Sequence, residues 1–414
     1  LLALTRLGVV TLSGRNPVLP PELAVSTVMT DIVYPYAAKR VVLVEKRWIT
    51  GDGKPIDAQH IHDAAPDDVC RIVLTSGTTG DGKAVALTHR MLMARIARHH
   101  YCFGSRLPYC QRSFIDLGFA TSLGFQYLMA MLMRGGALFM PGIDQDSTIR
   151  AFEVYGIENI LSSPYGLMQL MRAFESRPQL QFSLKTIFSG GSPMPASLSA
   201  RLRERVCTHL ITAYGSTETS MVASALSSAV ADTPGAAGYI LPGITVEAVD
   251  AAGIALPAGK EGVVRIRSLN GVDRYVGNPA ASGEVFRDGW FYPGDIGYLT
   301  AQRLLVITGR QQIVLNLGGD KINPEMIETV LAAHANVVDA AVFTKSNELG
   351  VDEVWALVVA RASFDADAIR RHCAAELPLI FVPVRVLETK QVPRNAMGKI
   401  ERSRLPDLAR TSLN

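Results

Sequence analysis

The chain has 414 residues, enough for two or three domains around sizeable cores. A hydrophobic content of 48% with 19% charged residues excludes a disordered polypeptide. A net charge of +3, with both signs interleaved, gives no basis for nucleic-acid binding or attachment to an anionic membrane surface.

The opening Leu1 to Val10 reads as a helix running into a strand, so residues are expected before Leu1, and a removed targeting segment stays open. No signal peptide is visible in the 414 residues. A helix is expected over Pro21 to Thr30 and a strand over Arg40 to Glu45; Trp48 to Asp68 is polar and turn-rich. Cys70 to Leu74 reads as a short buried strand. Ala84 to Arg98 carries Leu87, Met91, Leu92 and Ile96 at helical spacing and is expected to be a helix. Leu117 to Met133 is the most apolar run, about 17 residues where a membrane span needs about 20. It contains Thr121, Ser122 and Gln126, and a buried helix of an α/β core is expected there. Gly135-Gly136 caps that helix before a strand at Ala137 to Met140. Helices at Asp146 to Tyr155 and Pro164 to Ser176 then alternate with strands at Asn159 to Ser162 and Leu184 to Ser189. That rhythm predicts a doubly wound α/β layer.

From Leu241 the texture changes to period-two alternation, as in Thr245 to Val249 and Gly262 to Arg267, and predicts a small β-barrel-like subdomain over about 240–308. After Gly309-Arg310 a compact α+β domain is expected, with a strand at Ile313 to Leu317 and helices from Pro324 and over Ala366 to Leu377. The expected organisation is a large N-terminal domain over 1–309 and a small C-terminal domain over 310–414. Five cysteines without a C-x-x-C pair read as reduced thiols of a cytoplasmic protein, with a Cys102–Cys110 pairing disfavoured.

The densest signal is Thr75-Ser76-Gly77-Thr78-Thr79-Gly80-Asp81-Gly82-Lys83. Glycines let backbone N–H groups approach an anion, and hydroxyls and a lysine neutralise it. Gly77 to Lys83 has the spacing of a Walker loop, but Ala84 replaces the hydroxyl that such a loop offers to Mg²⁺. Read alone, the stretch is as readily a flexible turn as a phosphate cradle.

It resembles, however, the phosphate loop of the AMP-forming adenylating enzymes: acyl-CoA synthetases, peptide-synthetase adenylation domains and luciferases. Four further segments fall in that family's order. Phe188-Ser189-Gly190-Gly191-Ser192-Pro193 resembles the segment whose bare backbone lies against adenine, a role that glycine suits. Tyr214-Gly215-Ser216-Thr217-Glu218 resembles the family's Y-G-x-T-E. By that resemblance Tyr214 and Gly215 border the base, Thr217 binds the α-phosphate and Glu218 holds Mg²⁺, a cation suited to a carboxylate shared with phosphates. Without the resemblance, the segment reads as a helix N-cap with Glu218 as a first-turn acid. Pro293-Gly294-Asp295-Ile296-Gly297 resembles T-G-D-x-G, with Pro293 in place of threonine. There Asp295 would accept both ribose hydroxyls and Arg310 would be the second ribose contact. Pro393 to Arg402 resembles the family's closing P-x-x-x-x-G-K-I-x-R, in which Lys399 reaches the acyl carboxylate and α-phosphate.

The resemblance implies a mobile C-terminal domain that alternates between two half-reactions. Lys399 serves the first, and the strand carrying Gly318 and Gly319 admits a thiol arm in the second. It implies ATP, Mg²⁺ and coenzyme A, or a carrier-protein phosphopantetheine, together with a small carboxylic acid substrate. Three departures stand out. The hinge position holds Gln312; the gate histidine of many acyl-CoA synthetases is missing from Phe119 to Gly124; and Ala120 stands where amino-acid-activating domains place Asp, with Asp116 nearby. The leading expectation is an acid–thiol ligase using coenzyme A. The alternatives are a stand-alone adenylation protein that loads an acyl carrier protein and a non-catalytic nucleotide-binding relative.

Overall fold

The computed structural model describes residues 9–13, 23, 25–30, 38, 40–44, 63–75, 83–104, 111–311, 315–317, 320–322, 324–346, 352–395 and 398–412. The chain forms two compact units. One holds 1–246 with 266–292, and the other holds 247–265 with 293–414.

The first unit is built on parallel strands. In spatial order they are Ala137–Phe139, Arg112–Ile115, Asn159–Ser162, Thr186–Ser189 and Leu210–Ser216, all parallel. Ser220–Leu226 then turns back antiparallel to Leu210–Ser216, and Ala236–Ile240 pairs antiparallel with it. Asn159–Ser162 and Thr186–Ser189 are buried at every position, as strands covered on both faces must be. Helices Gln145–Tyr155, Pro164–Glu175 and Ala196–Arg205 pack on the sheet through Phe114, Phe152, Ile160, Leu167, Phe174 and Ile187. Their ends follow local chemistry. Asp144 closes a capping box, Gly156 takes the left-handed conformation at φ 56°, and Ser163 caps a helix that begins at Pro164. Each side-chain cap contributes about 1 kcal/mol.

A second cluster of Cys70, Leu92, Ile96, Phe125 and Ala130 joins helices His89–Gly104 and Ser122–Met133 to the Val69–Leu74 strand. Among the described residues no helix is long and apolar enough to cross a membrane.

Two expected helices are corrected by the structure. Ala84–Thr88 is a strand, antiparallel to Val69–Leu74, and the helix starts only at His89. Val85 and Leu87 are buried in the sheet, while Thr88 accepts the Met91 N–H at 3.2 Å and so starts the helix. Over Pro21 to Thr30, Thr27–Thr30 is a strand parallel to Arg40–Leu43. Three of its four residues are β-branched, which favours the pleat over the helix.

In the second unit Asp295–Leu299 and Leu304–Arg310 form an antiparallel pair, with Gly262 and Val263 aligned on Gly297 and Ile296. Val337–Ser346 and Asp352–Ala360 pair antiparallel, and Asp352–Ala360 pairs parallel with Arg385–Glu388. Helices Pro324–Ala333 and Ala366–Glu376 cover one face of this sheet, centred on Ile327, Leu331, Ile369 and Cys373. Helix Leu405–Ser412 covers the other through Leu405 and Ala409. The architecture is mixed α/β, with a large sheet-rich N-terminal part and a small C-terminal domain. Cys70, Cys102, Cys207 and Cys373 are free thiols; Cys110 lies outside the described residues.

Candidate active site

The phosphate-loop candidate falls in the connection between two antiparallel strands, Val69–Leu74 and Ala84–Thr88. Leu74 pairs with Ala84, the Thr75 N–H donates to the Lys83 carbonyl at 2.9 Å, and the Lys83 N–H donates to Thr75 Oγ1 at 3.3 Å. Thr75 and Lys83 therefore fasten both ends of the loop. Ser76, Gly77, Thr78, Thr79 and Gly80 lie outside the described residues.

The adenine candidates sit where parallel strands end, the edge at which open α/β sheets bind ligands. Ser189 is aligned with Thr212, so Gly190, Gly191 and Ser192 follow one strand end while Tyr214 and Gly215 continue the next. Gly191 has φ 95°, a conformation glycine adopts without strain. A Cβ on Gly190 would fall 3.0 Å from Leu123 Cδ2, and one on Gly215 would fall 2.2 Å from the Ser220 carbonyl oxygen. Bare backbone is thus required at Gly215, beside a register shift between Tyr214 and Gly215. The structure places Gly190 and Gly191 just past the end of one strand and Tyr214 and Gly215 on the neighbouring one.

Thr217 and Glu218 occupy the turn between Leu210–Ser216 and Ser220–Leu226, closed by the Ser216–Ser220 pair. Both flanks are strands, so the helix N-cap reading of this segment does not hold. Ser220 takes φ 61°, and its hydroxyl donates to Gln126 Oε1 at 2.8 Å. From beneath, Arg95 donates to three carbonyls: Thr217 at 2.9 Å, Glu218 at 2.9 Å and Asn270 at 3.0 Å. Arg95 is 0% exposed, and burial, with the nearby Arg98 charge, brings its pKa down to about 9 while Glu218 pulls it upward. The Glu218 side chain is itself buried, and Tyr275 donates its hydroxyl to Oε1 at 2.7 Å. Burial, then the Glu218 charge, pushes the Tyr275 hydroxyl well above its ordinary pKa, so it is a donor at any working pH. The Lys83 ammonium lies 5.1 Å above the centre of the Tyr275 ring. The Val276 N–H donates to the Ala84 carbonyl at 2.8 Å, fixing the segment beside the hairpin. Tyr275 therefore ties the loop lysine to the Glu218 carboxylate.

Sequence reading missed Arg95 and Tyr275. Arg95 did leave a signal. Leu92, Arg95, Ile96 and His99 fall at i, i+3, i+4 and i+7 and are all buried, so a charge stands on a core-facing stripe. Tyr275 left none, because it lies 57 residues from Glu218.

In the second unit Asp295 and Arg310 face each other across two strands, and Arg310 Nε donates to Asp295 Oδ1 at 2.7 Å. Asp295 is only 4% exposed, and its guanidinium partner fixes the rotamer of a carboxylate that burial alone would penalise. Lys399 is half-buried; its N–H donates to Asn395 Oδ1 at 3.0 Å, and its carbonyl accepts from the Asn395 N–H at 2.9 Å. Gln312, Gly318 and Gly319 lie outside the described residues.

Asp116 accepts the Ser162 hydroxyl at 2.6 Å, and a Cβ on Gly166 would meet Asp116 Oδ2 at 2.0 Å. The Phe119 to Gly124 stretch starts a helix: Thr121 Oγ1 accepts the Gly124 N–H at 3.0 Å. Among the described residues no cluster of three His, Cys, Asp or Glu could hold a metal. The single buried carboxylate of Glu218, with one oxygen already oriented by Tyr275, fits a hard cation that takes its remaining oxygens from phosphates and water.

The model of the family described as AMP-binding enzyme matches residues 22–276, and the AMP-binding enzyme C-terminal domain matches 326–399. The chain is 28% identical over 383 residues to the acyl-CoA synthetase FUM10 of Gibberella moniliformis, covering 84% of this chain and 67% of that protein. It is 26% identical over 345 residues to a 4-chlorobenzoate–CoA ligase of an Arthrobacter species, covering 82% and 66%. Among solved structures it resembles the amide bond synthetase McbA of Marinactinospora thermotolerans, with TM-score 0.76 and 25% identity over 90% of this chain and 75% of that one. The chain thus spans about two thirds of the length of these curated relatives.

Proposed function

The chain belongs to the AMP-binding enzyme family, and on that premise we propose that it activates a carboxylic acid with ATP and passes the acyl group to coenzyme A. The observation that carries the reading is the buried Glu218 carboxylate, oriented by Tyr275 at 2.7 Å beside the glycine-lined strand ends. The names of the relatives, a CoA ligase and an acyl-CoA synthetase, support coenzyme A as the acceptor.

The chemistry follows from charge. A carboxylic acid with a pKa of about 4 is a nucleophile at neutral pH without a general base. The obstacle is repulsion between that carboxylate and the ATP phosphates. Thr75, Ser76, Gly77, Thr78, Thr79, Gly80 and Lys83 would grip the leaving pyrophosphate through amides, hydroxyls and one ammonium. Thr217 would hydrogen-bond the α-phosphate, and Lys399 would neutralise the charge shared by acyl carboxylate and α-phosphate. Gly190, Gly191, Ser192 and Tyr214 would seat the adenine, and Asp295 with Arg310 the ribose. Glu218 would hold Mg²⁺, which when bound supplies a Lewis acid that draws charge from the phosphates. The carboxylate oxygen attacks the α-phosphorus, the bond to pyrophosphate breaks, and acyl-AMP stays bound. A thiolate then attacks the acyl carbon, and the carbon–oxygen bond to AMP breaks.

The test is pyrophosphate release from ATP over a panel of straight-chain fatty acids, benzoates and amino acids, followed by addition of coenzyme A or a phosphopantetheinylated carrier protein. One acid class should release pyrophosphate, and coenzyme A should then discharge AMP and yield an acyl thioester. Discharge by the carrier protein alone replaces the acceptor. ATP binding without acid-dependent pyrophosphate release overturns the enzymatic reading.

A further inference from the structure

The reach of the Lys399 side chain starts from its backbone, and the turn that carries that backbone is anchored to the sheet by Arg394. Arg394 spends three donors on two targets. Nε and Nη2 reach Asp339 Oδ2 and Oδ1 at 3.2 and 2.6 Å, and Nη1 reaches the Gly398 carbonyl at 2.7 Å. The second target is the peptide unit immediately before Lys399. The first lies in the Val337–Ser346 strand, where a register shift between Val337 and Asp339 turns the chain out of regular pairing. The guanidinium therefore fixes a tight turn to the small domain's sheet.

The described residues of the turn close around that anchor. The Gly398 N–H donates to the Asn395 carbonyl at 2.9 Å, and Gly398 takes φ 76°, which glycine alone adopts freely. Asn395 holds the Lys399 backbone from both sides, by side chain to its N–H and by N–H to its carbonyl. Arg394 and Ile400 bridge antiparallel to close the base. The other nearby arginine does something different. Arg402 donates to both Glu328 oxygens at 2.6 and 2.9 Å and to the Val342 carbonyl at 2.7 Å, tying the C-terminal helix region to the helix Pro324–Ala333.

We infer that Arg394, seated on Asp339, is the positioning residue that sets Lys399 for acyl-AMP formation. The inference rests on the role proposed for Lys399 in that step. A shift of about 1 Å in a catalytic group costs on the order of 100-fold in rate, so loss of the anchor acts on one half-reaction. Lysine does not substitute for arginine here, because a point charge cannot hold a carboxylate and a carbonyl in one plane.

The experiment uses the full chain, the acid that releases most pyrophosphate in the panel, and its synthetic adenylate. Pyrophosphate release reports the first half-reaction, and thioester formation from supplied adenylate and coenzyme A reports the second. Arg394→Ala and the isosteric Asp339→Asn should each lower the first-half kcat about 30-fold, with the KM for ATP and the second half-reaction both within about twofold of wild type. Arg394→Lys should recover less than about a third of that loss. If Arg394→Ala folds poorly, Asp339→Asn carries the test. Arg402→Ala, which breaks a tie elsewhere in the domain, should slow both halves alike. Equal loss in both halves for Arg394→Ala and Asp339→Asn, or no loss in the first, overturns the inference. Lys399→Ala, run beside them, separates the two readings. If it abolishes the first half while Arg394→Ala does not impair it, only the positioning role falls; if it leaves the first half intact, the role of Lys399 falls and the inference with it.

Discussion

Glu218 and Lys399, two of the residues proposed for the first chemical step, are held in place by different means. The Glu218 turn is fastened from beneath by groups with almost no access to water: Arg95 at 0% and Tyr275 at 5% exposure. The Lys399 turn is fastened by an ion pair whose side chains are each 22% exposed. A buried anchor makes site geometry part of the folding free energy, because removing it strands desolvated partners. A partly exposed anchor keeps some of its hydration when its partner is lost, so it contributes less to stability, yet it still fixes geometry. Mutations at the first region should therefore change stability and activity together, and mutations at the second should change activity more than stability.

The largest effect is expected at Arg95. Arg95→Met keeps the apolar stem but removes the guanidinium donor from the carbonyls of Thr217 and Asn270 and leaves the Glu218 carbonyl with the Val272 N–H. A loss of about 3–5 kcal/mol is expected, with activity falling in parallel, as read by urea unfolding and pyrophosphate release. Unchanged unfolding would erase the contrast between the two regions.

His99 sharpens the same side of the comparison. It is fully buried one turn beyond Arg95, and burial holds its pKa down to about 4 against an ordinary 6.5, with Gln126 pulling the other way. The unfolded chain therefore takes up a proton before the folded one does. Its contribution to stability is complete above pH 6.5 and is lost as pH falls towards 4, by at most about 3 kcal/mol. Urea midpoints between pH 7 and 4.5 should decline more steeply in wild type than in His99→Gln. Identical slopes would remove His99 from the account.

The smallest effect is expected at Tyr275. Tyr275→Phe keeps the ring under Lys83 and removes only the hydroxyl on Glu218. About a tenfold loss in kcat/KM for ATP is expected, with weaker Mg²⁺-dependent ATP binding by calorimetry and a loss of about 1–2 kcal/mol in urea unfolding. Equal Mg²⁺ dependence of ATP binding in the two proteins would break the link between the tyrosine and the carboxylate.

What could be read in the sequence was local. Asn159–Ser162 was legible because Ile160 and Leu161, in a short run between turn signals, suit a strand covered on both faces. Glu218 and Lys399 stood out because each sits in a short motif. Ala84–Thr88 was misread because the helical spacing of Leu87, Met91, Leu92 and Ile96 does not say where a helix begins, and pairing with Val69–Leu74 decided it. The supports of Glu218 were hidden because they are long-range: Arg95 lies 122 and 123 residues from the carbonyls of Thr217 and Glu218. Asp295 and Arg310 were found as separate motif residues, but their direct ion pair is a property of strand register.

In the proposed reaction a carboxylate oxygen attacks the α-phosphorus of ATP. The most direct measurement is one turnover with the acid labelled with ¹⁸O in both carboxylate oxygens, followed by mass spectrometry of the nucleotide product. AMP should carry a single ¹⁸O, because the attacking oxygen stays on phosphorus when the thiol removes the acyl group. Unlabelled AMP, or ADP with the label in inorganic phosphate, would contradict it.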